Sequence, residues 1–451
     1  MNPTPYSAAL VLLPALAWCE TFDWIDLSAG TQPVAIGAGP RALGMGGAFS
    51  AVADDATAST WNPAGLTQCE RPELAASLGF YRTRTQIDDH ETESDWSPEH
   101  LSALAPFYAF GCQQVVGIAW QRTYDFSARV QESSYDVNDD GMGTVVTVDH
   151  TGELSRDGSF ATLGASYGIE LAPGLSFGAT LNQWRDSWTR SSHYREQLVD
   201  VETTIFDFSG LVFSDERTTV RTHDVRILGG TSLVLGAMWQ AMPELTLAVV
   251  AKPGFDLELE TVSTVVETID YGFGPEPPVT TTETARSTLH QPTSATLGTA
   301  WRPDDINTLT ADATWTRWRQ YYVDQGGTRR SPVSFHVDPQ DFDDLWTLRL
   351  GYERVCILPG SVLVPRCGAL AEWLPAQTPA SDTEHYEDVQ ATSDLWLGAT
   401  VGLSWCQRSV IWDAGLQVRH GNDVMAGQVS GPTRTADVTI ATLRLGATIQ
   451  F

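Results

Sequence analysis

From residue 73 onward the chain is a succession of short segments in which apolar and polar residues alternate. In the last of these segments, Leu443 and Leu445 alternate with Arg444 and Gly446. Successive side chains of a β-strand point to opposite faces, so each segment predicts a strand with one apolar face. The opposite faces hold mainly Gly, Ser and Thr.

The alternation predicts fourteen strands, at residues 73–84, 101–110, 114–130, 158–170, 174–190, 227–240, 245–265, 283–302, 307–323, 344–357, 363–374, 394–406, 409–419 and 437–451. Short connections alternate with long polar or acidic loops, which we expect at residues 85–100, 131–157, 191–226, 266–282, 324–343, 375–393 and 420–436. Short turns on one side and long loops on the other are typical of bacterial outer-membrane barrels.

A soluble β-sandwich has the same alternation, but three features favour a membrane barrel. The small polar residues suit a lumen, the connections alternate in length, and aromatic residues such as Trp315, Trp405 and Trp412 lie near strand ends, as interfacial girdles require. We therefore predict an all-β fold, a 14-stranded antiparallel transmembrane β-barrel over residues 73–451. Its location would be the outer membrane of a Gram-negative cell.

Composition and charge narrow the class of partner and the compartment. The net charge of -29 argues against nucleic acid, because phosphate binding needs a basic surface. Residues 1–19 are expected to be a signal peptide, since the apolar run 8–18 is too short to span a bilayer as a helix. A lipid anchor at Cys19 is the alternative. No later apolar run reaches about 18 residues, so no transmembrane helix is predicted.

The cysteines show no metal-binding pattern. Because none of the five after residue 19 is in a Cys-x-x-Cys pair, a zinc site is not expected. Cys356 and Cys367 flank a predicted turn, and the sequence leaves open whether they form a disulfide or remain two small free thiols.

One stretch ahead of the strands differs from everything after it. Residues 41–66 are rich in Gly and Ala, contain the acidic pair Asp54 and Asp55, and end in Trp61-Asn62-Pro63-Ala64. Glycines permit positive φ and close backbone approach, and Pro63 forces Asn62 out of the helical region. The two carboxylates are expected to pair with Arg41 or with lumen arginines such as Arg349 and Arg444. We predict that residues 20–72 form a plug, the hatch, inside the barrel.

These motifs resemble the FadL/TodX family of outer-membrane transporters for long-chain fatty acids and other hydrophobic compounds. The matching stretches are RALGMGGA at 41–48, ADDA at 53–56, WNPA at 61–64 and ADATWTRW at 311–318, with Lys252-Pro253 and the terminal Phe451 as further points. The resemblance implies a hatch-gated 14-stranded barrel that acts as a monomer. It also implies passive transport of a hydrophobic small molecule, with outer-membrane lipid as the other partner, and a lateral exit into the bilayer.

The candidate site residues follow from the hatch and from two predicted loops. The predicted gating residues of the hatch are Arg41, Gly44, Gly46, Gly47, Asp54, Asp55, Asn62, Pro63 and Ala64. A cluster of apolar residues in the loop 191–226 is the candidate site of ligand capture: Phe206, Phe208, Leu211 and Phe213. A weak calcium candidate, with the Asp-x-Asn-x-Asp-Gly spacing but without the final Glu of a complete loop, is Asp136, Asn138 and Asp140.

Catalytic motifs are not found, and no enzyme activity or cofactor beyond the calcium candidate is expected. The chain has neither Gly-x-Ser-x-Gly nor His-Glu-x-x-His, and His290 and His336 are interpreted as loop or lumen residues. The leading interpretation is transport. The alternatives are a barrel that serves as a scaffold or shuttle component of a protein secretion system, and an outer-membrane lipid hydrolase. The sequence identifies neither the ligand nor its exit route.

Overall fold

The computed structural model describes residues 37–85, 90–93, 96–139, 144–208, 211–272, 274–332, 339–378, 390–426 and 434–451. The predicted signal peptide lies outside them. The strands of these residues, numbered in chain order, are β1 (Glu73–Thr85), β2 (His90–Glu93), β3 (Ser97–Ala109), β4 (Cys112–Asp125), β5 (Ala128–Asp139), β6 (Thr144–Ala172), β7 (Leu175–Gln183), β8 (His193–Phe208), β9 (Leu211–Met242), β10 (Leu245–Lys252), β11 (Phe255–Asp270), β12 (Val279–Gln291), β13 (Ser294–Trp301), β14 (Asn307–Thr316), β15 (Tyr322–Gln325), β16 (Thr328–Arg330), β17 (Leu345–Arg354), β18 (Cys356–Leu358), β19 (Ser361–Thr378), β20 (Gln390–Gln407), β21 (Val410–Ala426) and β22 (Arg434–Gln450).

Fourteen of these strands close an antiparallel barrel. Each pairs with the next in the order β1, β3, β4, β6, β7, β9, β10, β13, β14, β17, β19, β20, β21 and β22. The ring is completed by β1 and β22, whose register runs from Glu73 opposite Gln450 to Thr85 opposite Val438. The predicted fold class and strand number are confirmed, and each predicted strand overlaps one wall strand.

Two of the predicted loops were wrong. Much of 131–157 is β5 and the first half of β6, paired from Ala128 opposite Arg156 to Asp139 opposite Val145. Most of 191–226 is the hairpin of β8 and β9, which places Phe206 opposite Phe213. The long polar stretches therefore continue the wall strands as hairpins. Their many Thr and Val residues favour strands, whereas their polarity alone favours loops.

Several predicted strands are interrupted rather than continuous, and two of the breaks are at proline. The prediction 245–265 divides into β10 and β11 at Pro253-Gly254, and 283–302 divides into β12 and β13 at Pro292-Thr293. Proline has no N–H to donate to the ladder, so the two adjacent strands break at the same height. The wall strands β7, β10, β13, β14 and β17 have 8 to 10 residues, close to the roughly 9–11 that cross a bilayer.

The outside of the barrel is apolar at the height of these strands. Leu297 is 62% exposed and Leu350 59% exposed, and both point away from the lumen. Exposed tryptophans such as Trp239, Trp301 and Trp412 lie near the short turns, and Trp346 lies near the opposite end of its strand. An outward apolar band flanked by aromatic girdles is the pattern of a membrane barrel.

Residues 37–72 lie inside the barrel. They form the helices α1 (Pro40–Gly44) and α2 (Ala58–Trp61) and a 3₁₀ helix at Pro63–Gln68, and most of their side chains are buried. Helix α1 packs on β20, β21 and β22, while the 3₁₀ helix packs on β6, β7 and β9. The hatch therefore spans the lumen between two parts of the wall.

The end of the lumen opposite the hatch holds a hydrophobic cluster of its own. Three short elements lie beside residues of this cluster. Helix α3 (Asp186–Thr189) follows Trp184, and 3₁₀ turns lie at Trp318–Gln320 and Pro339–Asp341. Trp184, Trp318 and Phe342 are among the buried side chains of the cluster. Among the described residues, none of the helices has the length and apolar composition that a membrane-spanning helix requires.

Cys356 and Cys367 are free thiols in this structure. The residue opposite Cys356 is Leu363, and the residues opposite Cys367 are Tyr352 and Val401. The ladder thus keeps the two cysteines apart, on different cross-strand pairs.

Candidate functional site

A cavity of about 290 Å³ lies between the hatch and the hydrophobic cluster. Its floor includes Leu43, Gly47 and Trp61 of the hatch. Its sides are mainly Ser, Thr, Asn and Gln of the wall strands, and its far end is aromatic. We call it the lumen cavity. Its volume is near the lower end of the roughly 300–1,000 Å³ typical of small-molecule sites.

The far end of the cavity is formed by stacked rings. Tyr124 and Trp184 stack with centroids 5.8 Å apart, and Trp184 and Phe255 stack at 5.5 Å. The Trp184 indole N–H donates to Ser232 Oγ at 2.9 Å, and the Tyr124 hydroxyl donates to Gln291 at 3.3 Å. Because the polar atoms of these rings have partners, the faces that line the cavity are apolar. We call Tyr124, Trp184, Phe255 and Trp318 the aromatic roof.

Rows of glycine on the inner wall receive the hatch. Gly168, Gly178 and Gly236 lie opposite one another on β6, β7 and β9. A Cβ on Gly178 would lie 2.2 Å from the carbonyl carbon of Pro63, and one on Gly236 would lie 2.0 Å from Asn62 Oδ1. Only glycine therefore permits this close approach.

On the other side of the hatch, wall glycines again lie in close contact with it. We call both groups of wall glycines the glycine seats. Gly402 and Gly415 are cross-strand partners on β20 and β21, and a Cβ on Gly415 would lie 2.4 Å from the Pro40 carbonyl oxygen. Thr400 Oγ1 donates to the Gly44 carbonyl oxygen at 3.0 Å. The predicted Gly44 is thus a contact point between α1 and the wall.

Asn62 and its neighbours close the hatch on itself and on the wall. The Asn62 side chain is fully buried and donates to the Ser50 carbonyl at 2.8 Å and to the Ala237 carbonyl of β9 at 3.5 Å. Its Oδ1 accepts from the Ala64 N–H at 3.1 Å, which caps the 3₁₀ helix that begins at Pro63. This geometry accounts for the Asn-Pro-Ala order in the sequence.

Arg41 joins the two halves of the hatch and ties them to the wall. Its guanidinium forms ion pairs with Asp54, with Asp55 at 3.4 Å and with Glu353 of β17 at 3.3 Å. Glu353 also pairs with Arg366 of β19. The structure thus pairs the acidic residues of the hatch with Arg41, while Arg349 pairs with Glu372.

Sequence reasoning missed the wall residues that complete the site. Asp312 accepts from the N–H groups of Phe49 and Ser50, and Glu372 lies between Arg349 at 2.7 Å and Arg419 at 2.9 Å. Gly recurring on the polar faces of the predicted strands was the available signal for the seats. The composition gives a second signal, which points to Lys252. It is the only lysine in the chain, and it lines the lumen cavity.

Two of the predicted capture residues, Phe206 and Phe213, do not line the cavity. Phe206 and Phe208 are near the end of β8, and Leu211 and Phe213 begin β9, so they meet at the tip of one hairpin. Phe213 is 50% exposed. Their role in ligand capture stays a prediction.

The calcium candidate also stays a prediction. Asp136 and Asn138 lie in β5, opposite Val148 and Val146, and Asp140 lies outside the described residues. No group of three or more His, Cys, Asp and Glu residues suited to a metal ion occurs in the described part of the chain.

His290 pairs with Asp256 at 2.5 Å and stacks on Tyr322, and His336 lies outside the described residues.

Solved structures of the same fold include proteins described as a hydrocarbon channel and a toluene transporter. A FadL homologue from Pseudomonas aeruginosa aligns over 94% of this chain and 100% of its own, with a TM-score of 0.57 and 13% identity. The CymD monoaromatic hydrocarbon channel covers 95% and 99%, with a TM-score of 0.55 and 13% identity. The Pseudomonas putida toluene transporter TodX covers 93% and 99%, with a TM-score of 0.51 and 12% identity.

No protein-family model and no curated protein matches the chain. At 12–13% identity the structural likeness shows the fold. The chain therefore has the FadL/TodX-type barrel fold that its sequence predicts.

Proposed function

We propose that this chain is a passive channel for hydrophobic small molecules in the outer membrane of a Gram-negative cell. The observation that carries the proposal is the lumen cavity, which lies between the hatch and the aromatic roof inside a barrel with an apolar outer belt. Burial of ligand surface against the roof provides the affinity, at about 25 cal/mol per Å² of apolar area. Solved proteins of this fold described as hydrocarbon or toluene channels support the proposal.

The hatch would act as the gate. It is held to the wall by polar contacts that include those of Arg41, Asp312 and Asn62, and it forms the floor of the cavity. Ligand leaves only if some of these contacts open. The wall itself closes through β1 and β22 without an unpaired edge in the described residues, and this supports a monomer.

A pair of neighbouring substitutions tests the cavity. Thr296 lines the cavity and Leu297 faces outward at 62% exposure. Thr296→Trp should fill the cavity, whereas Leu297→Trp places the same ring in the lipid belt. Native mass spectrometry of gently extracted protein, with butylbenzene added, should show bound ligand in the wild type and the Leu297 variant. The Thr296 variant should show none. Equal binding in all three would contradict the proposal.

A further inference from the structure

The lumen cavity is more basic than the chain around it. The whole chain has 56 acidic and 27 basic residues, yet the charged residues that line the cavity are four cations and two carboxylates. The cations are Lys252, Arg349, Arg419 and Arg444, and the carboxylates are Asp312 and Glu372. In a low-dielectric lumen this excess of positive charge attracts anions.

Most of these charges have partners within the protein. Glu372 is shared by Arg349 and Arg419, and Arg444 pairs with Glu99 at 2.6 Å. The Asp312 carboxylate accepts three hydrogen bonds from the hatch. These groups hold the wall and the hatch together, so they explain the structure without a ligand.

Lys252 is different. In the part of the chain that the structure describes, its ammonium has no ion pair and no hydrogen bond. The neighbouring charge that acts on it is the guanidinium of Arg349, a like charge. A partly buried cation without a counter-ion is costly, and it is the more notable because Lys252 is the only lysine in the chain. An anion from outside the protein would complete this site.

The position of Lys252 relative to the aromatic roof defines the rest of the ligand. Lys252 ends β10, the Pro253-Gly254 break follows, and Phe255 begins β11. Lys252, Pro253 and Phe255 all line the cavity. Lys252 and Phe255, a member of the ring stack, are therefore three positions apart in one stretch of the wall that lines the cavity. A lysine ammonium binds a carboxylate as a point charge, and ring faces favour stacking with an aromatic group.

We propose that the lumen cavity binds compact aromatic carboxylates, with the carboxylate on Lys252 and the ring against Tyr124, Trp184 and Phe255. This deepens the proposed function and rests on it. The cavity volume of about 290 Å³ favours a ligand with a small tail. The acid group gives the channel a selectivity that an apolar pocket does not have, because a neutral isostere leaves the ammonium unpaired.

Two ligands of the same shape test the proposal: 4-butylbenzoate and the uncharged 4-butylbenzamide. Binding is measured by calorimetry at pH 6.5 on the full chain in lipid nanodiscs, with empty nanodiscs as the blank. The wild type should bind the carboxylate at least 10-fold more tightly than the amide. Lys252→Met should remove this preference and still bind the amide, while Lys252→Arg should retain it.

The single lysine provides an independent measurement. Reductive methylation modifies Lys252 and the amino terminus, so peptide mass spectrometry reports the ε-amine directly, with the terminus as internal control. The carboxylate at saturation should slow modification of Lys252 at least fivefold, and the amide at the same occupancy should slow it less than twofold. Equal protection by the two ligands would overturn the proposal.

The outcomes also separate this inference from the proposed function. If the carboxylate and the amide bind equally in the wild type, and Thr296→Trp abolishes both, the channel function stands and the role of Lys252 fails. If Lys252→Met retains the preference for the carboxylate, another group binds the anion and the inference is again overturned. If butylbenzene binds the wild type and neither of these two ligands does, the inference fails and the channel function stands. If none of the three ligands binds, both proposals fail.

Discussion

Asp312 of the barrel wall and Ser50 of the hatch are joined by two hydrogen bonds to one carboxylate oxygen. Asp312 Oδ2 accepts from the Ser50 N–H at 3.0 Å and from Ser50 Oγ at 2.7 Å, and it also accepts from the Phe49 N–H at 3.1 Å. Asp312 is only 4% exposed. Hydrogen bonds to an ionised group are the strong ones, so this contact fixes the middle of the hatch to β14.

Removal of this carboxylate should loosen the hatch without unfolding the barrel. Asp312→Ala leaves the N–H groups of Phe49 and Ser50 buried without an acceptor, at a cost of about 1–3 kcal/mol each. Hydrogen exchange at these two amides should accelerate at least tenfold, while exchange in β14 stays within twofold of the wild type.

A carboxylate with similar local bonds provides the control. Asp304, in the turn between β13 and β14, accepts from the N–H groups of Ile306 and Asn307 at 3.0 and 2.7 Å, within its own turn. Asp304→Ala should leave the Phe49 and Ser50 amides unchanged. If it accelerates their exchange as much as Asp312→Ala, the contact with Asp312 is not what holds the hatch.

Arg41 should be the second point at which the hatch is fastened. Arg41→Met leaves Asp54, Asp55 and Glu353 close together without their shared cation, and the like charges repel. The hatch should then open more often. Arg195 offers a matched control, because its pair with Asp224 is exposed on the β8–β9 hairpin and contributes little.

A natural thiol reports this opening. Cys69 ends the 3₁₀ helix of the hatch, is 2% exposed, and its burial raises the pKa of the thiol above its ordinary value. Maleimide should react with it at least tenfold faster in Arg41→Met than in the wild type or in Arg195→Met. Equal rates in the three proteins would contradict the role of Arg41. All three proteins carry Ser in place of the other described cysteines, which are Cys112, Cys356, Cys367 and Cys406.

The glycine seats should be sensitive to a single methyl group. Gly178→Ala places a Cβ 2.2 Å from Pro63 and should displace the 3₁₀ helix, since overpacking costs about 1–3 kcal/mol. Gly117 of β4 also faces inward, but its Cβ would have no neighbour closer than 3.4 Å. Unfolding by urea in lipid vesicles should show destabilisation for Gly178→Ala and a change within about 0.5 kcal/mol for Gly117→Ala.

Ligand affinity should rise with size and then stop. Along a series of alkylbenzenes each added CH₂ contributes about 0.8 kcal/mol while it is buried. The lumen cavity holds about 290 Å³, so the gain should end once that space is filled. Binding titrations in nanodiscs check this series. A gain that continues undiminished to very long chains would show that the tail lies elsewhere, for example in the lipid.

The strand pattern and the hatch motif could be predicted because both depend on local sequence. Alternation with period 2 located all fourteen wall strands, and Asn62-Pro63-Ala64 indicated a turn before the structure showed its contacts. The interruptions at Pro253 and Pro292 were also visible in principle, since proline ends a ladder wherever it must donate.

The cavity itself could not be predicted from the sequence. Asp312, Glu372 and Lys252 come together from strands that are distant in the chain, and their meeting depends on barrel registers such as Asp312 opposite Arg349. Local patterns do not specify these registers between distant strands.

In the proposed function, a hydrophobic ligand crosses the barrel through the lumen cavity. The most direct measurement is the initial rate of butylbenzene uptake by Gram-negative cells that lack other channels of this kind and carry the wild type, Thr296→Trp or Leu297→Trp at equal surface levels. We expect the wild type and Leu297→Trp to raise uptake equally, with or without a protonophore, and Thr296→Trp to reduce it to the level of cells without the channel. Undiminished uptake through Thr296→Trp would contradict the account.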